Sequence, residues 1–174
     1  MKSLVFACFG VLVSACSSGV GGMNASDGSF VVADAVATEQ VDFDTMQITL
    51  SSIGGVCGLM QTGSAAPARD YDVVTFTFRS TQPGTYPLVA GDDLRPDAAQ
   101  ALYVGNRSCT SKYGSFASGT VTITSVDDGH VTGTYDMHFA NGWPYGANFK
   151  GSTQGSFDAP VCDTLGHLPA ITCN

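Results

Sequence analysis

Aspartates are the residues of this chain most capable of chemistry, because they occur in three close pairs. The pairs are Asp70 with Asp72, Asp92 with Asp93, and Asp127 with Asp128. Two carboxylates held about 5 to 9 Å apart are the machinery of a glycoside hydrolase. Each pair lies at a loop or strand edge, where aspartate is favoured because its side chain hydrogen-bonds to turn backbone. We therefore interpret the pairs as turn residues, and a hydrolase is the third function considered.

Other catalytic motifs are missing from the sequence. It has no Gly-x-Ser-x-Gly elbow, no His-Glu-x-x-His and no glycine-rich phosphate loop. The histidines His130, His138 and His167 are scattered, and the sequence offers none of them a partner. We therefore predict a non-enzymatic protein with no catalytic residues.

Metal binding and nucleic-acid binding are both disfavoured. No two cysteines have the close spacing of a zinc site, and the acidic residues lack the spacing of an EF-hand calcium loop. The net charge of -8, from 15 acidic and 7 basic residues, leaves no basic surface to neutralise phosphates. We predict no metal, no cofactor and no nucleic-acid partner, and we expect an acidic, threonine-rich monomer.

An aromatic loop is the most suggestive candidate for ligand binding. The segment 141–146 contains the only tryptophan together with a tyrosine, a glycine pair and a proline that shape its backbone. Aromatic rings can stack on the apolar faces of sugars while amides bind the hydroxyl groups. The candidate contacts are Asn141, Trp143, Tyr145 and Asn148. The alternative is that Trp143 folds back and plugs one end of the domain.

The N-terminus has the pattern of an export signal. Lys2 precedes an uncharged apolar stretch, residues 4–13, which is too short to span a bilayer. The following Val13-Ser14-Ala15-Cys16 resembles the lipobox of bacterial lipoprotein precursors. The resemblance implies removal of residues 1–15 and acylation of Cys16, with palmitate among the chains that anchor the protein. The alternative is an ordinary signal peptide cut after Ala15.

The same resemblance also concerns location. Ser17 follows the lipobox, where an aspartate would resemble an inner-membrane retention signal. The expected location is therefore the cell envelope, lipid-anchored in the outer membrane, with its periplasmic or surface orientation left open.

The remaining cysteines agree with export. Four are left after Cys8 and Cys16 are set aside, namely Cys57, Cys109, Cys162 and Cys173. An even number in an oxidising compartment predicts two disulfides. Of the three pairings we favour Cys57 with Cys109 and Cys162 with Cys173, because the last two bracket a compact tail.

The mature chain is predicted to be a short tether followed by one β-rich domain. Residues 16–28 comprise the lipidated cysteine and a Ser/Gly-rich flexible tether, and residues 29–174 form the domain. Period-2 alternation, as in Met46, Ile48 and Leu50, indicates sheets with one face in the core and one in water. The candidate strands are 30–33, 46–50, 73–78, 86–89, 101–104, 121–126, 131–139 and 156–157. This pattern predicts an antiparallel β-sandwich, with a closed barrel as the alternative.

Residues 119–139 form the clearest hairpin in the sequence. Matching the apolar faces pairs Ile123 with Gly133 and Val121 with Tyr135, which we attribute to a three-residue loop with a G1 bulge at Gly129. Gly129 should therefore have a positive φ. The only helical turn we expect lies within residues 92–100.

A wider resemblance covers about a third of the chain. From Cys109 to Cys162, the segments 119–124, 131–139 and 155–162 look like uncharacterised envelope lipoproteins of Gram-negative, myxobacterial-type bacteria. This implies a β-rich envelope lipoprotein and assigns no activity. We therefore expect a non-enzymatic, membrane-anchored binding or structural module, whose partner is a glycan or an envelope protein. A carbohydrate-binding module using the aromatic loop is the main alternative.

Overall fold

The computed structural model describes residues 23–25, 28–30, 32–40, 44–63, 70–80, 82–89, 94–107, 110–127, 129–139 and 151–163. These residues form ten strands and one short helix. The strands are β1 Met23–Ala25, β2 Gly28–Phe30, β3 Asp34–Gln40, β4 Thr45–Ser51, β5 Tyr71–Phe78, β6 Gly84–Pro87, β7 Ala99–Arg107, β8 Thr110–Asp127, β9 His130–Phe139 and β10 Gly151–Pro160. The helix, α1, is Val56–Thr62 and lies between β4 and β5.

The predicted β-sandwich is confirmed: two antiparallel sheets pack face to face. The first sheet has the order β3-β4-β5-β7 and ends on the N-terminal part of β8. The second sheet consists of β6, the C-terminal part of β8, β9 and β10. Strand β3 approaches the end of β10 through one isolated bridge, between Ala37 and Val161. Within the described residues, the sheets do not close into a barrel.

The 18-residue strand β8 belongs to both sheets, so it must bend. Its register against β9 shifts between Phe116 and Ser118, and Gly119 follows with a φ of 143°. A Cβ atom at Gly119 would collide with the backbone of Asp136 and lie 2.9 Å from the Cα atom of Met137. Glycine is thus required where the strand passes from one sheet to the other.

The core lies between the two sheets and is built by the predicted alternation. Ile48, Leu50 and Phe76 of the first sheet are fully buried. The ring of Phe76 lies 5.8 Å from that of Tyr135 in β9, and Phe78 packs edge-on against Tyr86 of β6 at 5.3 Å. These aromatic pairs join the sheets directly.

The 119–139 hairpin confirms part of the prediction and corrects the rest. Ile123 pairs with Gly133, Val121 pairs with Tyr135, and Gly129 has a φ of 76°. The predicted three-residue loop is wrong, because Asp127 pairs with His130 across two residues. The additional residue lies instead inside β8, where Thr124 forms a bulge. Beyond this bulge Ile123 again pairs with Gly133, so the apolar faces match as predicted.

The favoured disulfide pairing is also wrong. Cys57 of α1 is bonded to Cys162, which directly follows Val161 at the end of β10, with their Cα atoms 5.7 Å apart. Both cysteines lie against β3, because the Cys162 N–H donates to the Ala37 carbonyl and α1 packs with Val36. This is the one disulfide found in the described part of the chain, where two were expected. Cys109 and Cys173 lie outside it.

The sequence did not predict α1, which covers part of the outer face of the first sheet. Its N-terminus is capped by β3, since the Val56 N–H donates to Asp34 Oδ2 at 2.8 Å. Val56 and Met60 are buried with Val36. The outer face of this sheet is therefore partly buried, and even Thr49, expected in water, is 2% exposed. The helical turn expected within residues 92–100 is not found in the described part of that segment, which instead contains a hydrogen-bonded turn in which the Ala98 N–H donates to the Arg95 carbonyl.

The N-terminal strands occupy residues around the predicted boundary between tether and domain. Strand β1 pairs with β2, joining residues assigned to the tether to residues at the start of the domain. The pair lies beside β10. No helix among the described residues is long and apolar enough to cross a membrane.

Candidate functional site

A groove of about 450 Å³ crosses the outer face of the second sheet. Five polar side chains line it: Thr120, Thr134, Asp136, Gln154 and Ser156. All five are exposed, whereas Tyr135 and Gly155, which also border the groove, belong to the alternate positions that face the core. The site thus consists of the alternate, outward-facing polar residues of the three strands β8, β9 and β10.

Strand register places these side chains in two rows. Thr120 pairs with Asp136, and Asp136 pairs with Gln154. In the next row Thr134 pairs with Ser156. Cross-strand neighbours lie about 4.5 to 5.5 Å apart at Cβ, so each row presents adjacent hydrogen-bonding groups. The arrangement offers three hydroxyls, one amide and one carboxylate to a ligand.

Hydroxyl groups beside the groove are bonded to each other, but those within it are not. Thr85 Oγ1 lies 3.0 Å from Thr122 Oγ1, and Ser125 Oγ lies 2.8 Å from Thr132 Oγ1. Among the described residues, the side chains of Thr120, Thr134, Gln154 and Ser156 make no such bond. Their donors and acceptors face solvent and are available to a ligand.

Two histidines on this face have carboxylate partners that the sequence did not reveal. His130 Nδ1 lies 2.7 Å from Asp158 Oδ1, and His138 Nε2 lies 3.7 Å from Asp136 Oδ1. The first contact runs diagonally between β9 and β10, so it becomes visible only once the register of these strands is known. His130 and Asp158 are both exposed and lie outside the groove lining.

The predicted carboxylate pairs are not assembled into a cleft by the described residues. Asp70 is exposed, whereas Asp72 is 7% exposed and accepts a 2.6 Å hydrogen bond from the Tyr103 hydroxyl. Asp127 is exposed at the end of β8. Asp92, Asp93 and Asp128 lie outside the described residues.

Asp72 holds a structural position at one end of the core. It pairs in register with Gly105, and the Tyr103 hydroxyl lies over that glycine. The Asp72 N–H donates to Ser52 Oγ at 2.8 Å, which ties β5 to the end of β4. Asp72 therefore connects three chain segments, through its carboxylate to Tyr103 and through its backbone N–H to Ser52, and it is buried from solvent.

Tyr135 supports the groove from the core side. Its hydroxyl lies over Gly155, where a Cβ atom would come within 2.7 Å of it. Burial raises the pKa of Tyr135 above its usual value of 10.0, and the nearby Thr153 hydroxyl offsets part of that effect. Neither hydroxyl has a well-aligned hydrogen bond with the described residues.

The candidate residues of the aromatic loop lie outside the described residues. Asn141, Trp143, Tyr145 and Asn148 belong to the segment that joins β9 to β10, the two strands that carry most of the groove. Cys16 and His167 are also outside. Among the residues that are described, no cluster of three metal-ligating side chains occurs.

Comparison with protein-family models, curated proteins and solved structures finds no match to this chain.

Proposed function

We propose that this protein is a lipid-anchored, non-enzymatic binding module of the bacterial cell envelope, held in the outer membrane by acylated Cys16. The lipobox-like Val13-Ser14-Ala15-Cys16 supplies the anchor. The β-sandwich supplies the binding surface through the groove on β8, β9 and β10. In this proposal the domain acts as a monomer toward a glycan or an envelope protein.

The disulfide is the observation that carries the envelope assignment. Disulfides form and persist in oxidising compartments and are rare where thiols are kept reduced. Cys57 and Cys162 are separated by 105 residues, yet the fold brings their sulfurs into bonding contact. An exported chain with an N-terminal export signal is the simplest source of such a bond.

The groove favours binding over catalysis in this proposal. Its exposed hydroxyl and amide groups have no bonding partners among the described residues, so they can bind a ligand without breaking internal contacts. Catalysis by paired carboxylates would need two positioned acids, and the groove lining includes one, Asp136.

Labelling with a palmitate analogue tests the anchor. The full chain expressed in a Gram-negative host should incorporate the label and partition with membranes. Cys16→Ala should abolish labelling, and Cys8→Ala, which removes the other cysteine of the leader, should leave it intact. An unlabelled wild-type protein recovered in the periplasmic fraction would overturn the proposal.

Carbohydrate binding through the aromatic loop is the second candidate function. It is favoured by chain connectivity, since residues 140–150 join the two strands that carry most of the groove. Titration with peptidoglycan fragments should then shift the emission of Trp143, the only tryptophan. Alternatively, the emission of Trp143 could stay unchanged during the titration and already be that of a buried indole. This result would assign Trp143 to the core and direct the search to protein partners.

A further inference from the structure

Hydroxyl side chains form a continuous row across the entire width of the second sheet. Thr85 of β6 pairs with Thr122 of β8, Thr122 pairs with Thr134 of β9, and Thr134 pairs with Ser156 of β10. We call these four residues the hydroxyl row. Neighbouring strands are about 4.8 Å apart, so the row extends over about 14 Å perpendicular to the strands.

The two halves of the hydroxyl row differ in their hydrogen bonds. Thr85 and Thr122 bond to each other, whereas Thr134 and Ser156 keep free hydroxyls on the side where the groove opens. Asp136 and Gln154 run parallel to this half of the row, two residue pairs farther along the strands. Threonine also presents a methyl group, so the surface alternates small apolar contacts with hydrogen-bonding groups.

We propose that this groove binds a neutral, linear, β-linked oligosaccharide lying across the strands, along the hydroxyl row. In such a glycan the length of one sugar unit is close to the spacing between strands. Successive sugars would therefore each meet a polar side chain on β8, β9 or β10. Sugars have hydroxyl groups at their edges and C–H groups on their faces, which matches the mixed character of threonine.

Charge selects a neutral ligand over an anionic one. The groove contains the Asp136 carboxylate, its lining has no lysine or arginine, and the chain as a whole carries a net charge of -8. An anionic polysaccharide would be repelled by both. A neutral sugar hydroxyl can instead donate to Asp136, and hydrogen bonds to charged groups are the stronger kind.

This inference rests on the proposed role as a binding module and is independent of the lipid anchor. The test uses the full chain in a detergent without a sugar headgroup, titrated calorimetrically with three hexasaccharides. Cellohexaose is a neutral β-linked probe, maltohexaose is its α-linked, curved counterpart, and a hexamer of uronic acids is anionic. We expect saturable binding of cellohexaose and much weaker binding of the other two.

Isosteric variants locate the site. Thr134→Val removes one groove hydroxyl while keeping side-chain shape and strand propensity, and it should weaken cellohexaose binding about fivefold, the equivalent of one lost hydrogen bond. Thr110→Val changes an exposed strand threonine outside the groove and should leave affinity unchanged. Unfolding midpoints of both variants equal to that of the wild type would show that the fold is retained.

Three results would overturn the inference: no binding of cellohexaose, equal affinity for all three probes, or equal effects of the two valine variants. These outcomes can be told apart from failure of the envelope proposal. Palmitate labelling of Cys16 reports the anchor alone, and the titration reports the groove alone.

Discussion

At the scale of single residues, two of the buried tyrosines, Tyr103 and Tyr135, differ in what their hydroxyls contact. The Tyr103 hydroxyl donates to the buried Asp72 carboxylate at 2.6 Å. The Tyr135 hydroxyl lies over Gly155 without a well-aligned hydrogen bond to the described residues. A buried polar group without a well-aligned hydrogen bond lowers the stability of the fold, whereas a hydrogen bond to a buried charged group raises it. The same side chain therefore has opposite energetic roles in the two sheets.

The substitution of tyrosine by phenylalanine should consequently have opposite signs at these positions. Tyr103→Phe should lower the free energy of unfolding by about 1 to 3 kcal/mol, because Asp72 loses a donor. Tyr135→Phe should leave the free energy of unfolding unchanged or raise it slightly. Denaturant unfolding of both variants provides the measurement, and a larger loss at Tyr135 than at Tyr103 would contradict the assignment.

Tyr135 also predicts a response to alkaline pH. Since burial raises its pKa in the folded state, the unfolded chain ionises first as pH rises above about 10. Ionisation of Tyr135 thus leaves stability unaffected below pH 10, and the free energy of unfolding falls as pH rises from there through the folded pKa. In this range the free energy of unfolding should fall less steeply with pH for Tyr135→Phe than for the wild type. Unfolding followed by circular dichroism at each pH provides the measurement. An unchanged alkaline profile in the variant would count against a raised pKa.

At the scale of elements, glycines opposite aromatic rings determine how closely the strands of the second sheet pack. Phe157 of β10 pairs with Gly133 of β9, and Tyr135 pairs in the same way with Gly155. A Cβ atom at Gly133 would lie 2.5 Å from the Phe157 ring and would also collide with the Thr122 carbonyl. The rings occupy the space that these glycines leave, which aligns β9 with β10 beneath the groove.

Gly133→Ala should therefore destabilise the protein by about 1 to 3 kcal/mol, the usual cost of overpacking. Gly54→Ala is the matched control, because a Cβ atom there meets nothing within 4 Å. Thermal or denaturant unfolding compares the two. Similar stability of both variants would mean that Phe157 does not pack on Gly133.

The sequence predicted the elements with strong alternation and missed those without it. Met46, Ile48 and Leu50 were identified because polar residues separate them, and the same reasoning placed Ile123 opposite Gly133. Strand β3 was missed because Ala35 and Ala37 give a weak apolar signal, and α1 because seven residues including Gly58 show no helical period. The groove was missed because it depends on register across three strands, which no single segment encodes.

The disulfide was mispredicted for a related reason. Pairing Cys57 with Cys109 followed sequence distance, whereas the actual partner is fixed by β3, which lies beside both α1 and the end of β10. Once β3 and α1 are known, the pairing follows. Local signals do not reveal contacts between segments 105 residues apart.

At the scale of the whole molecule, this disulfide closes most of the domain into one loop. Restricting a loop of about 100 residues in the unfolded chain is worth about 4.7 kcal/mol by loop-closure entropy. Reduction, or Cys57→Ala combined with Cys162→Ala, should lower the free energy of unfolding by an amount of that order. Peptide mapping without reduction should recover the Cys57–Cys162 link. Recovery of Cys57 linked to Cys109 would contradict the observed pairing.

The mass of the mature N-terminal peptide tests the envelope assignment most directly. The full chain, expressed in a Gram-negative host and purified from membranes, should begin at Cys16 and carry a thioether-linked diacylglycerol. This mass would show that the host processes Val13-Ser14-Ala15-Cys16 as a lipobox and anchors the protein to the membrane through Cys16. A mature protein that retains residues 1–15, or that begins at an unmodified Cys16, would contradict the lipid-anchored assignment.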